Sequence, residues 1–218
     1  MTNRKKLITT ALWLAYVTIF YNVAEGIISV FFGASDETLA LLGFGVDSFV
    51  EVISGIGILH MIFRMRKSGD DPASRDNFEK TALRITGFSF YLLTAGLLAG
   101  SVLNIVHGSV PETTIPGIII SSISIATMWF LMTYKKKIGE KLISDAIVAD
   151  ANCTKTCFYL SIVLLASSGL YEIFRIGYID IAGSLAIAWF AFSEGKEAFE
   201  KAKSKSLSCG CGDGNCSG

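Results

Sequence analysis

Six long apolar runs, separated by short polar stretches, organise this chain. They fall at roughly 7–33, 38–64, 80–107, 115–134, 146–173 and 178–197. Within each run the apolar residues follow one another continuously instead of alternating, which predicts helices and excludes a membrane β-barrel. Several runs exceed the about 18–20 residues that a helix needs to cross a bilayer. The expected fold class is therefore all-α: a polytopic membrane protein with six transmembrane helices.

Composition agrees with the pattern. Of the 218 residues, 51% are hydrophobic, the mean hydropathy is +0.53, and 17% are charged. A soluble domain carries about 25% charged residues. The N-terminal MTNRKKLITT lacks a short apolar core followed by a small-residue cleavage site, so it reads as a lead into the first helix and not as a cleavable signal.

Net charge is zero, but the charges are unevenly placed. The first and third connections, GASDET and HGSVPETTIPG, hold no Lys or Arg. The second and fourth, RMRKSGDDPASRDNFEK and YKKKIGEKL, are rich in them. Of the 19 Lys and Arg, all but Arg175 and Lys155 fall on one side of the predicted membrane. Basic short loops stay in the cytoplasm, so both termini are expected there, in a plasma (inner) membrane. The expected organisation is a six-helix transmembrane domain over 1–200 and a flexible Cys/Gly-rich cytoplasmic tail over 201–218.

Acidic residues inside apolar runs bring in chemistry. Asp47 and Glu51 lie near the centre of LALLGFGVDSFVEVISGIGILHMIF. A carboxylate at mid-bilayer costs about 2.5–3.5 kcal/mol on insertion scales. At i and i+4 the two share a helix face, about 6 Å apart along the axis, where like charges repel. Protons or a divalent cation would neutralise them; the purely structural alternative is a pair of protonated acids bonded to neighbouring helices.

The fifth run contributes Cys153 and Cys157, also at i and i+4. It runs antiparallel to the second, so adjacency would set Asp47 level with Cys157 and Glu51 level with Cys153. Two carboxylates and two thiols can make the four-ligand shell that zinc-like cations take. A buried Cys packing as a small hydrophobe is the alternative. Asp150 shares the face of Cys153 one turn closer to the cytoplasm and reads as an auxiliary metal ligand or proton relay. Lys155 points away from both thiols, and Glu25 is its expected ion-pair partner. Asn22 is expected to bond between helices.

Of the five cysteines, three lie in the terminal SLSCGCGDGNCSG. Cys209, Cys211 and Cys216 sit among glycines that cannot build a core. They read as a flexible metal-capture segment, without the paired CxxC elements of a zinc finger.

The stretches NVAEGIISVFFGASDETLALLGFGVDSFVEVISG, ADANCTKTC and YIDIAGSLAIAWFAFSEGKEAF, taken in order, resemble the first two, fifth and sixth helices of the cation diffusion facilitator (cation efflux) family of metal exporters. The resemblance covers residues 7–197 and implies a transport site on Asp47, Glu51, Cys153 and Cys157, and a homodimer. Three departures stand out. The second acid is Glu where the family has Asp. Both fifth-helix ligands are Cys where the family has His and Asp. The chain is expected to carry the cysteine tail after the sixth helix, in place of the ferredoxin-like cytoplasmic domain that usually follows in the family.

These readings converge on an exporter, not an enzyme, of a divalent soft or borderline metal ion. Zn²⁺ and Cd²⁺ rank first, because thiolates favour them and hard ions want all-oxygen shells. The metal is cargo, so no cofactor is expected. Binding displaces protons from the ligands, which couples metal export to proton antiport. Partners are metal cations, protons and the bilayer, with no nucleic acid. A small-xxx-small face at Gly96 and Gly100 permits the dimer contact. Two alternatives compete: a membrane thiol oxidoreductase using Cys153 and Cys157, and a non-transporting metal-binding sensor.

Overall fold

The computed structural model describes residues 2–36, 38–68, 77–107, 111 and 113–203. Among these the chain forms six α-helices and no strand: α1 Thr2–Ser35, α2 Leu39–Ser68, α3 Asn77–His107, α4 Ile115–Leu142, α5 Asp145–Phe174 and α6 Tyr178–Lys203. The six apolar runs became the six helices. Five of them, α1 to α5, are long and apolar enough to cross a membrane. α6 is less apolar, because its run is broken by Asp180 and Glu194 and its buried stripe is built from small residues, Gly183, Ser184, Ala188, Ala191, Gly195, Ala198 and Ala202. At 1.5 Å per residue it still extends about 39 Å, more than the about 30 Å hydrocarbon thickness.

The fourth run reaches further than hydropathy predicts. YKKKIGEKL is not a loop: it is the last part of α4, and the chain reverses only at Ile143 and Ser144. One consequence concerns Lys135. Placed in a cytoplasmic loop by its basic neighbours, it is 2% exposed and lies inside the bundle.

Packing turns the usual arrangement inside out, as lipid demands. Large apolar side chains such as Trp13, Phe20, Phe31, Phe88, Trp129 and Trp189 face outward. Polar ones face inward at helical spacing: Thr18, Asn22, Glu25 and Ser29 make one buried stripe on α1. α1 packs on α2, α4 on α5, and α3 on α6, and α2 also touches α3, α5 and α6. The α1–α2 crossing is close because Gly33 and Gly45 leave out a side chain. A Cβ on Gly33 would stand 2.5 Å from the Leu42 amide nitrogen, and one on Gly45 would stand 2.8 Å from that of Val30.

One apolar cluster joins Ile8, Ala11 and Leu12 of α1 to Met61 and Ile62 of α2, Ile138 of α4 and Ile147 of α5. Lys201 near the end of α6 reaches Cys153 early in α5. The first and last helices therefore begin and end on the same face of the bundle, hereafter the terminal face.

The opposite end is held by carboxylate caps. A helix start leaves backbone N–H groups without partners. At the start of α2, the buried Asp180 of α6 accepts from the amides of Leu39 at 3.0 Å and Ala40 at 3.3 Å. Glu172 of α5 does the same for α4, accepting from the Thr114 amide at 2.7 Å, and is paired with Arg175 at 2.6 Å. Asp180→Ala strands two backbone donors, one half-buried and one buried, and is expected to cost about 2 kcal/mol. Asp180→Asn keeps an acceptor and loses less. Thermal unfolding in detergent reads the difference, and an unchanged midpoint for the alanine variant would contradict the cap.

On α3, Gly100 faces Leu39 of α2, where a Cβ would meet its methyl at 2.9 Å, whereas a Cβ on Gly96 would meet nothing within 4 Å. Of these two glycines, Gly96 is the one open on the outer surface.

Candidate metal centre

Three helices converge on Glu51. From α2 its carboxylate reaches across to α5, where the Cys157 thiol donates to Oε1. From α1 the Asn22 amide donates to Oε2 at 3.0 Å. The expected interhelical role of Asn22 is thus observed, with Glu51 as its partner. Cys157 is 3% exposed and packs with Met128 and Leu131 of α4, so the thiol side of the contact is buried, while Glu51 is half-buried.

Asp47 lies one turn along α2 from Glu51. It is 3% exposed, and its Oδ1 has no hydrogen-bond partner among the described residues. Glu51, Glu194 and Glu25 all lie within electrostatic range of it. A buried carboxyl oxygen without a partner is costly, and several acids grouped in one low-dielectric interior need protons or a cation between them.

The α2–α5 pairing is correct, but its register differs from the expectation by one turn. Glu51 is level with Cys157, not with Cys153. Seen from the terminal face, the order in depth is Asp150, Cys153, the Glu51–Cys157 pair, then Asp47. Helix rise spreads Cys153 to Asp47 over about 12 Å. Among the described residues, no three His, Cys, Asp or Glu side chains close on one point. The four donors form a ladder through the bundle, with one pair in contact.

Both thiols are free. Cys153 is half-buried and has the Lys201 ammonium 3.8 Å from its sulfur. Asp150 is ion-paired: the Lys135 ammonium lies 2.9 Å from its Oδ2 and also donates to the Thr154 hydroxyl at 3.0 Å. The positive charge beside Asp150 thus comes from α4, from a residue read as part of a loop.

Lys155 does not meet Glu25. It is exposed, with its ammonium 5.6 Å from the centre of the Tyr159 ring. Glu25 is buried among hydroxyls, accepting from Tyr21 at 2.9 Å and Ser48 at 3.1 Å. A lysine on the outer side of a helix snorkels along its own neighbours more cheaply than it crosses the core.

The sequence reading missed Glu194. It accepts from the Thr156 hydroxyl at 3.0 Å and lies within electrostatic range of Asp47, Glu51 and Cys153. A signal existed: Glu194 and Lys201 each lie three residues beyond a buried small residue of α6, Ala191 and Ala198, so the helical period turns both toward the bundle. The tail residues Cys209, Cys211 and Cys216 lie outside the described residues.

An all-helical bundle with helices long and apolar enough to span a bilayer, and with acids and thiols buried on its central helices, is an integral membrane protein. The chain belongs to the cation efflux family: the family's transmembrane domain, the cation efflux transmembrane domain, matches residues 15–205. It is also similar to an uncharacterized transporter of Methanocaldococcus jannaschii, 24% identical over 174 residues. That match takes in 79% of this chain and 61% of the relative, so the chain spans about three fifths of the relative's length.

Proposed function

We propose that this membrane protein is a cation transporter that exports a divalent soft or borderline metal ion, Zn²⁺ or Cd²⁺, in exchange for protons, and that it carries out no chemical transformation of its cargo. The observation that carries the reading is the Glu51–Cys157 contact, in which a thiol proton is held between two groups that are both metal ligands once deprotonated. A divalent ion replaces that proton. When the ion leaves, a proton returns from the side the ion went to, and this exchange couples the two flows.

Asp47, Glu51, Cys153 and Cys157 are the transport ligands in this reading, and Asp150 is an auxiliary ligand or relay held ready by Lys135. Gathering the four around one ion needs movement of α2 against α5, which is the kind of rocking that alternates access to a buried site. The cytoplasm lies at the terminal face, where the Lys and Arg gather, and the membrane is the plasma (inner) membrane. The transport domain spans 1–200, and the cysteines of the 201–218 tail collect metal for it. Two copies associate through the outer surface that includes Gly96.

Reconstituted liposomes test this. Wild-type protein is expected to carry Cd²⁺ or Zn²⁺ with opposite movement of protons, read by a pH-sensitive dye. The Asp47→Ala/Cys153→Ala double variant is expected to fall to the protein-free background. Equal metal flux in the two would remove the mechanism, and binding without flux in the wild type would favour the sensor.

A further inference from the structure

A cavity of about 40 Å³ lies between Glu51 and the terminal face. It accommodates about two or three water-sized positions. α2 supplies Glu51, α3 Thr86, α5 Asp150 and Cys153, and α6 Glu194 and Lys201. Neither Asp47 nor Cys157 lines it. Thr86 is 3% exposed, and its hydroxyl has no hydrogen-bond partner among the described residues, although it lines a polar space. A buried hydroxyl in that position is an acceptor waiting for a ligand or water.

The cavity already contains a cation, and it belongs to the protein. The Lys201 ammonium stands 3.8 Å from the Cys153 sulfur, within electrostatic range of Glu194, and 2.7 Å from Glu197 one turn back on α6. Lys201 is therefore already paired with Glu197 on its own helix and can leave the sulfur without losing that partner, since i and i+4 side chains are neighbours. Among the described residues, Glu194 accepts a hydrogen bond from the Thr156 hydroxyl.

We propose that this cavity is a second metal site, a loading site for the same soft or borderline divalent cation. Glu194 and Cys153 are its principal ligands, and Glu51 and Thr86 complete it once the side chains close on the ion, since no three acid or thiol donors meet at one point among the described residues. Lys201 is a resident counter-ion that an arriving metal displaces from the sulfur. The inference rests on the reading of the chain as a metal exporter. Glu51 is shared between the loading site and the deeper rung with Cys157 and Asp47, so an ion passes from one to the other by exchanging the ligands on either side of one carboxylate. When the ion binds, the Cys153 thiol loses its proton to cavity water, Glu194 releases Thr156, and Lys201 gives up the sulfur while keeping Glu197. The tethered ammonium also keeps the acids from repelling one another while the site is unloaded, and it sets the metal concentration that suffices to compete.

A single-thiol protein tests the site. The full chain with Cys157→Ser, Cys209→Ser, Cys211→Ser and Cys216→Ser retains only Cys153. Alkylation of Cys153 by N-ethylmaleimide is followed in detergent as Cd²⁺ is raised. Cd²⁺ is expected to protect the thiol. Glu194→Gln should raise the half-protecting concentration about tenfold or more, and Lys201→Gln should lower it several-fold. A rise and a fall from two neighbouring variants cannot both come from misfolding. Asp47→Asn, one rung deeper than Glu51, should move it less than about twofold. Protection unaffected by both Glu194→Gln and Lys201→Gln would overturn the proposal, and so would an Asp47→Asn effect as large as that of Glu194→Gln. Wild-type flux in liposomes separates the two ideas. The protection pattern without flux keeps the loading site and removes the exporter; flux without the pattern does the reverse.

Discussion

Lys135→Met is expected to destabilise the folded bundle by about 3–5 kcal/mol, the cost of breaking a buried ion pair from one side. Lys135 is 2% exposed, and Asp150, its partner at 2.9 Å, is 13% exposed. Removing the ammonium leaves a carboxylate in a low-dielectric interior and removes the donor to the Thr154 hydroxyl. It also removes a positive charge that acts on Glu51. The rescue is as informative as the loss. In Lys135→Met/Asp150→Asn no charge is left to strand, and replacing both members of a buried pair is often close to neutral. The double variant should therefore recover most of the lost stability in thermal or denaturant unfolding in detergent. A single variant as stable as wild type would place Lys135 in solvent, as its basic neighbours suggest. A double variant no better than the single would mean that the lysine is needed for its packing and not for its charge.

Nothing in the sequence around Lys135 marks it as buried. Continuous apolar runs report where helices exist, because only a helix satisfies its backbone in lipid, and so the six elements were readable almost to their ends. Hydropathy does not report where a helix stops once the chain turns polar. The basic end of α4 looked like a loop although it is helical to Leu142. The pairing of α2 with α5 was also readable, because two carboxylates and two cysteines at i, i+4 in apolar runs each need an explanation. Their relative height was not. Register between antiparallel helices follows from tilt and from close approaches such as Gly33 against Leu42, and these are properties of the packed bundle. Glu194 escaped notice because SEGKEAFEKAK reads as a charged flank, and only the stripe of Ala191, Gly195, Ala198 and Ala202 shows which way that flank faces.

Cys153→Asp combined with Cys157→Asp is expected to change which metal is carried, by at least about tenfold in the Cd²⁺:Mn²⁺ flux ratio, or about 1.4 kcal/mol of differential binding. The two thiols are the only soft donors on the ladder; Asp47 and Glu51 offer oxygen. Thiolate ligands select soft and borderline ions, while carboxylate and water shells suit harder ones such as Mn²⁺. Aspartate keeps a metal-binding group at each position, so the variant changes ligand softness more than ligand number. The Glu51–Cys157 hydrogen bond becomes a contact between two carboxyl groups, which share a proton when they are close, so proton exchange with the metal survives. Liposomes loaded with metal-sensitive dyes and presented with both ions would read the ratio directly. Cys153→Ser/Cys157→Ser supplies the contrast: it removes the soft donors and puts no charge in their place, and it should lose Cd²⁺ flux without gaining Mn²⁺. If the aspartate variant is intact by size exclusion and still prefers Cd²⁺ as the wild type does, the sulfurs never touch the ion. The selectivity would then have to come from the carboxylates alone, an assignment at odds with two thiols built into the interior of α5.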